Sequence, residues 1–158
     1  MNSTLTIDTE LNEIVIKPRF SEIDSLLIVH HSRFILWAEE ANFNFVERVL
    51  EISRKELFEL GIYNPIQKLE FKYKNHVVWD DEVLVRTRME YSQFAFFTMY
   101  NTICCRRNPR KIFAESKVRL LYTNKELDLR LLAPETFLRK IKEAETKYPQ
   151  FFTNIDHV

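Results

Sequence analysis

The residues with the clearest chemical potential surround Asp24. From Asp24 to Phe34 the sequence reads Asp-Ser-Leu-Leu-Ile-Val-His-His-Ser-Arg-Phe, and a mostly apolar segment with helical spacing follows. A helix begins with N–H groups that have no acceptor within the helix, and its dipole makes that end positive. A carboxylate facing that end can attack a polarised carbonyl or activate water to do so. By spacing alone, Asp24 also fits a capping residue for the same helix.

Other polar residues near Asp24 have both a chemical and a structural interpretation. His30 and His31 can orient a substrate, donate to an oxyanion or titrate near neutral pH, or they can simply be polar residues of a helix start. We expect Glu22 to be a solvated charge and Glu40 to lie on the surface. The spacing of Asp24, His30 and His31 matches no zinc motif, so we expect neither a metal site nor a cofactor.

A cluster of positive charge occurs later in the chain, where Arg106 and Arg107 open the polar segment Arg-Arg-Asn-Pro-Arg-Lys. Guanidinium groups bind phosphates in a planar, two-pronged geometry, so these two arginines are candidate ligands for the phosphates of coenzyme A. A solvated turn is the alternative interpretation, because charge runs commonly form exposed faces. An acidic carrier protein would suit the same cluster.

Composition excludes several classes of function. At 158 residues we expect a single domain over 1–158, with its core from about residue 12 to residue 145. Lys plus Arg equals Asp plus Glu at 23 each, so no overall charge attracts nucleic acid. The single glycine rules out a glycine-rich phosphate loop. No apolar segment reaches the roughly 20 residues of a membrane span, and the first residues lack the basic region and apolar run that are typical of a signal peptide. We therefore expect a cytoplasmic protein.

Hydrophobic periodicity predicts the order strand, long helix, short helix, four strands, helix. The long helix is expected at about 32–50, and the short one at 54–60, between the capping box Ser53–Glu56 and Gly61. Pro134 opens the last helix. The predicted strands lie at 12–20, around 69–74 and 83–90, and at 94–105 and 112–123.

The strand at 94–105 carries apolar residues on both alternate sets, which is typical of a central strand. One helix can cover only one of its faces. We therefore expect a second subunit on the other face, and hence a homodimer or homotetramer.

The chain resembles a known family at several of these positions. Arg-Phe-Ser-Glu-Ile-Asp at 19–24, Ile-Val-His-His-Ser-Arg-Phe at 28–34 and Trp-Ala-Glu-Glu-Ala at 37–41 resemble the signature of hotdog-fold acyl-CoA thioesterases of the 4-hydroxybenzoyl-CoA thioesterase type. Lys-Tyr-Lys at 72–74 and Trp-Asp-Asp-Glu-Val-Leu-Val at 79–85 extend the likeness. Two positions depart from the family pattern. Leu27 stands where the family usually has a glycine, and Phe34 stands where it usually has a tyrosine.

The resemblance implies an α+β hotdog fold, in which an antiparallel sheet wraps around a long central helix. It also implies thioester hydrolysis in a dimer with sites at the subunit boundary, where Asp24 is the nucleophile or general base. His31 is the second candidate catalytic residue, on the chemistry of its side chain. We expect the substrate to lie against Leu27, Val29, His30 and Phe34, with Leu27 reshaping the acyl entrance. Alternatives are a thioesterase acting on acyl carrier protein and a non-catalytic acyl-binding hotdog protein.

Overall fold

The computed structural model of the chain describes residues 9–156, which form an antiparallel sheet packed around one long helix. The helices are α1 (Arg33–Arg48), α2 (Arg54–Leu60) and α3 (Glu135–Lys147), with short 3-10 turns at Phe20–Glu22 and Pro149–Phe151. The strands are β1 (Glu13–Ile16), β2 (Ile66–Tyr73), β3 (Val83–Tyr91), β4 (Phe96–Cys105), β5 (Ile112–Leu121) and β6 (Phe152–Asn154). The predicted hotdog architecture is confirmed.

The strands lie side by side in the order β1, β3, β4, β5, β2, and each of these neighbours is antiparallel to the next. This order places β4 at the centre of the sheet, as its apolar sequence predicts. β6 joins the end of β3 as a parallel strand, with Met89 opposite Phe152. The sequence pattern does not predict β6, because three residues are too few to show a period of two.

The predicted element bounds hold where a local signal exists. α2 covers the predicted residues, since Ser53 Oγ accepts from the Glu56 N–H at 3.1 Å and Gly61 ends the helix with a φ of 64°. The first strand is shorter than the predicted 12–20 and ends at Ile16. Pro18 follows, and it has no N–H to donate to a neighbouring strand.

One face of α1 lies against the concave side of the sheet and forms the centre of the core. The buried side chains of this helix are Phe34, Trp37, Ala38, Ala41 and Phe45. Burying each large side chain stabilises the fold by about 1.5–3 kcal/mol. None of the described helices is both long and apolar enough to cross a membrane.

Two hydrophobic clusters divide this core along α1. The first surrounds the beginning of the helix and includes Val29, Phe34, Trp37, Val77, Val83, Val85, Ile103 and Phe113. The second surrounds the end of the helix and includes Phe45, Met89, Phe97, Met99, Val118, Phe137, Phe151 and Phe152. The packed core therefore continues past residue 145 into the C-terminal segment.

The outer face of β4 is partly covered within a single chain. Thr98 and Cys104 point away from α1 and are nevertheless buried. On the same face, the Arg88 guanidinium lies 3.9 Å from the centre of the Tyr100 ring. Burial of this face therefore does not by itself require a second subunit, and the homo-oligomer stays a prediction.

The chain between β1 and α1 makes a hydrogen-bonded turn at Asp24. The Leu27 N–H donates to the Asp24 carbonyl at 3.0 Å, and the Asp24 N–H donates to the Ile28 carbonyl at 2.8 Å. Leu27 has a φ of 63°, in the left-handed region that favours glycine. Its side chain is 76% exposed, so little packing offsets this strain.

Replacing Leu27 by glycine is expected to stabilise the protein. A left-handed φ costs a residue with a side chain about 1–2 kcal/mol, and part of this gain is lost because glycine makes the unfolded chain more flexible. We expect Leu27→Gly to raise the free energy of unfolding by about 0.5–1 kcal/mol. Urea denaturation of the two proteins measures this difference.

Leu26 provides a matched control, because it is the adjacent residue of the same turn and is 74% exposed, with no positive φ. Leu26→Gly should lower the free energy of unfolding by about 0.5–1 kcal/mol. If both variants are destabilised to the same extent, the left-handed conformation of Leu27 is not a source of strain.

Candidate functional site

The Asp24 carboxylate is half-buried and is held by one of its two oxygens. Asp24 Oδ1 accepts a hydrogen bond from the Leu26 N–H at 2.7 Å. Within the described residues, Oδ2 has no hydrogen-bond partner and is therefore available to a ligand. The residue before α1 is Ser32, so the alternative that Asp24 caps this helix is wrong. Asp24 caps its own turn instead.

Glu22 fixes the Asp24 turn against α1. Its Oε2 accepts from the Trp37 indole N–H at 3.0 Å, and its Oε1 accepts from the Arg19 N–H at 2.8 Å. The Glu22 carbonyl also accepts from the His30 N–H at 2.9 Å. The expectation of a solvated charge is wrong for Glu22, because a tertiary contact with Trp37 uses its carboxylate.

The two histidines lie between the turn and α1, with exposed side chains. Their rings are 4.3 Å apart, and His30 Nδ1 lies 2.7 Å from Ser32 Oγ. The His31 carbonyl accepts from the Tyr73 hydroxyl at 3.0 Å. Burial raises the pKa of Tyr73, so its hydroxyl keeps its proton and remains a donor at neutral pH. The end of β2 thereby supports the loop that carries His31.

Tyr73 was not among the predicted site residues. The alternation of β2 places it on the same face as Phe71, and this was the available signal. In the described chain, no three His, Cys, Asp or Glu side chains are grouped so that they could hold a metal ion.

The apolar residues predicted to contact substrate occupy two different environments. Val29 and Phe34 are buried in the first core cluster, beneath the Asp24 turn, and the Val29 N–H donates to the Val77 carbonyl at 2.8 Å. Leu27 points outward from the turn. Val29 and Phe34 thus support the loop, whereas Leu27 forms part of its surface.

Arg106 and Arg107 lie in the turn between β4 and β5 and share one carboxylate. Arg106 Nη1 is 3.1 Å from Glu82 Oε2, and Arg107 Nη2 is 3.6 Å from Glu82 Oε1. The preceding residue, Cys105, packs against the same cluster as Val29, so this turn lies at the same end of the sheet as Asp24. Two guanidinium groups against one carboxylate leave a net positive charge there.

A large cavity lies along the side of α1 that faces α2 and β2. Its volume is about 500 Å³, which is within the range of small-molecule sites. Its lining is mostly apolar and comes from α1, α2, β2, β4, β5 and α3, and the lining residues of α1 are Ile35, Ala38, Glu39, Asn42, Phe43 and Val46. The helical spacing of these residues was the signal that could have identified this face from sequence.

None of the predicted site residues lines this cavity. Glu39 and Glu40 are both exposed, but only Glu39 lines the cavity. Within one chain, the Asp24 carboxylate therefore lies outside the apolar cavity.

The fold is shared with thioesterases of known structure. DHNA-CoA thioesterase from Staphylococcus aureus is 18% identical, with a TM-score of 0.72 over 87% of this chain and 90% of that chain. The 1,4-dihydroxy-2-naphthoyl-CoA thioesterase from Synechocystis is 14% identical, with a TM-score of 0.72 over 83% of this chain and 95% of that one. A thioesterase from Thermus thermophilus, complexed with coenzyme A and Zn, is 21% identical, with a TM-score of 0.70 over 85% and 93%.

The sequence itself identifies the family. No curated protein matches the chain. The family model of the thioesterase-like superfamily matches residues 18–141, which include the Asp24 turn, α1 and the sheet from β2 to β5. The chain therefore belongs to the thioesterase-like superfamily.

Proposed function

We propose that this protein hydrolyses acyl-CoA thioesters at a site shared between two subunits. In this proposal, the Asp24 turn of one subunit meets the cavity along α1 of the other. The observation that carries it is the separation of the available Asp24 carboxylate from the apolar cavity within one chain. Superfamily membership and the coenzyme A complex of the Thermus thermophilus thioesterase support a coenzyme A ester as the substrate.

Asp24 has two routes to hydrolysis. Its free oxygen attacks the thioester carbonyl carbon, or it takes a proton from a water molecule that attacks instead. In both routes the C–S bond breaks and the sulfur leaves as a thiolate that acquires a proton. If water attacks, the carboxylic acid forms directly. If Asp24 attacks, a mixed anhydride forms, and a water molecule then hydrolyses it to release the carboxylic acid and restore the Asp24 carboxylate. Backbone N–H groups at the start of α1 are the proposed donors to the carbonyl oxygen as its negative charge develops.

The remaining predicted residues have supporting roles in this proposal. The exposed His31 ring assists as a proton donor, and His30 and Leu27 contact the substrate near Asp24. Arg106 and Arg107 bind the phosphates of coenzyme A. In doing so, the phosphates replace Glu82 as the partner of the two guanidinium groups. The chain would then resemble the 4-hydroxybenzoyl-CoA thioesterase type in its use of Asp24.

One observation favours a second candidate function. Leu27 has a left-handed conformation at the position where the family usually has glycine, and it places an exposed apolar side chain beside Asp24. If this side chain blocks the reacting carbonyl, the protein binds acyl groups without hydrolysing them. The same cationic turn also suits an acidic acyl carrier protein, so the assay compares acyl-CoA and acyl carrier substrates.

Replacing Asp24 by asparagine tests the chemical step. The asparagine side chain can still accept from the Leu26 N–H through its amide oxygen, so the turn and the fold should survive. It can neither attack nor take a proton, and these functions are needed mainly in the transition state. We expect Asp24→Asn to lower kcat by at least about a hundredfold with KM nearly unchanged. Thermal unfolding verifies the fold.

Glu40→Gln provides the matched control, because it removes an exposed carboxylate of α1 that lies outside the cavity. This control should retain the wild-type rate. Glu39→Gln tests the carboxylate that does line the cavity. If Glu39→Gln abolishes turnover while Asp24→Asn does not, the attacking group is Glu39 and the assignment of Asp24 is wrong.

A mixing experiment tests whether two subunits share the site. Val46→Trp fills the cavity of one chain with a bulky ring, and Asp24→Asn removes the carboxylate of another. Each variant alone should be inactive. Random exchange of equal amounts makes half of the dimers mixed. In each mixed dimer, Asp24 of the Val46→Trp chain meets the open cavity of the Asp24→Asn chain, so one of the two sites is intact. About a quarter of wild-type activity should therefore return.

A site contained within one chain predicts no recovery, because no chain in the mixture is intact. Differently tagged variants and native mass spectrometry show whether exchange has taken place. Sedimentation at micromolar concentration should show no monomer. A clean monomer, or mixed dimers without activity, would contradict the shared site.

A further inference from the structure

A row of buried polar residues crosses the middle of the concave sheet face. Thr87 of β3, Asn101 of β4 and Ser116 of β5 occupy neighbouring positions of the register. All three are buried, and Asn101 is only 2% exposed. Polar side chains at the centre of an apolar face cost free energy unless they are hydrogen-bonded. Their bonds therefore determine what this row can do.

Asn101 uses every polar atom of its amide within this row. Its Nδ2 donates to Thr87 Oγ1 at 2.9 Å and to Asn42 Oδ1 at 2.9 Å. Its Oδ1 accepts from Ser116 Oγ at 2.8 Å. The network thus reaches from the sheet to α1 and ends at Asn42.

This network fixes the orientation of the Asn42 side chain. Because Asn42 Oδ1 faces Asn101, its Nδ2 group faces away from the buried row, and Asn42 lines the cavity. Within the described part of the chain, Asn42 Nδ2 has no acceptor. Next to the row, Met99 and Val118 make the cavity wall apolar. Asn42 therefore presents hydrogen-bond donors in largely apolar surroundings.

We propose that Asn42 is a specificity-determining residue that donates a hydrogen bond from Nδ2 to an oxygen carried by the acyl group. The preferred substrates are then apolar acyl groups with one hydroxyl or keto oxygen in addition to the thioester carbonyl. This inference rests on the proposed function for the assignment of the cavity to the acyl group. A buried polar group rejects a ligand that leaves it unpaired, so oxygen-free acyl groups are disfavoured.

Matched pairs of coenzyme A esters test this inference. Benzoyl-CoA is compared with its hydroxybenzoyl isomers, and octanoyl-CoA with its hydroxy and keto derivatives. We expect the wild type to prefer at least one oxygenated ester by roughly tenfold in kcat/KM. In Asn42→Leu, which removes the donor and keeps a similar volume, the preference should fall below about twofold.

Asn42→Asp distinguishes a hydroxyl oxygen from a keto oxygen on the acyl group. It is also a second variant, in case Asn42→Leu does not fold. It retains an acceptor for Asn101, so the buried row stays paired. A hydroxyl can donate to the new carboxylate, whereas a keto oxygen loses its only donor. Selectivity for a keto ester should therefore disappear in Asn42→Asp, whereas selectivity for a hydroxy ester should remain.

Asn44→Leu is the matched control. Asn44 lies on the same helix, donates to the Leu11 carbonyl at 3.2 Å and does not line the cavity. The preference for the oxygenated ester should be unchanged in this variant.

Binding measurements separate a failure of this inference from a failure of the proposed function. Non-hydrolysable thioether analogues of the same pairs are titrated by calorimetry into the wild type and Asn42→Leu. If no thioester is hydrolysed, the proposed function fails, and the ratio of thioether affinities alone decides the role of Asn42. The inference is overturned if no oxygenated ligand is preferred, if neither analogue binds, or if the preference survives in Asn42→Leu.

Discussion

The packing of α1 against the concave face of the sheet is the constraint on which the rest of the structure depends. One helix must supply apolar side chains to two core clusters, with Phe34 and Trp37 at its beginning and Phe45 near its end. The side of the helix beside this stripe borders the cavity together with α2 and β2. The cavity is therefore a consequence of how a single helix is positioned over a wide sheet.

The same helix also fixes the two polar features that we connect with function. At its beginning, Trp37 donates to Glu22 and holds the Asp24 turn in place. In its middle, Asn42 receives the hydrogen bond that ends the buried row of the sheet. Both contacts join a side chain of α1 to a polar side chain from another part of the fold, so they stabilise the fold and orient the site together.

The Asp24 turn holds a residue with a side chain, Leu27, in a backbone conformation that favours glycine. The backbone at Leu27 keeps the left-handed φ that glycine adopts easily, because the hydrogen bonds of the turn, including the one from the Leu27 N–H to Asp24, determine the path of the chain. The strain is local, and the exposed side chain does not disturb the core. The position of the Asp24 carboxylate is therefore set by backbone hydrogen bonds of the turn, including the one from the Leu26 N–H.

The sequence by itself determined the features that depend on local periodicity or on neighbouring residues. These include the helical stripe of α1, the capping of α2 by Ser53 and Gly61, the central position of β4 and the family motif around Asp24. Only the tertiary structure decided which distant residues meet. The contacts between Glu22 and Trp37, between Tyr73 and His31, and between Asn101 and Asn42 join residues far apart in the chain. The physical reason is that a period of two or 3.6 residues identifies the buried face of an element, whereas its partner depends on strand order and register.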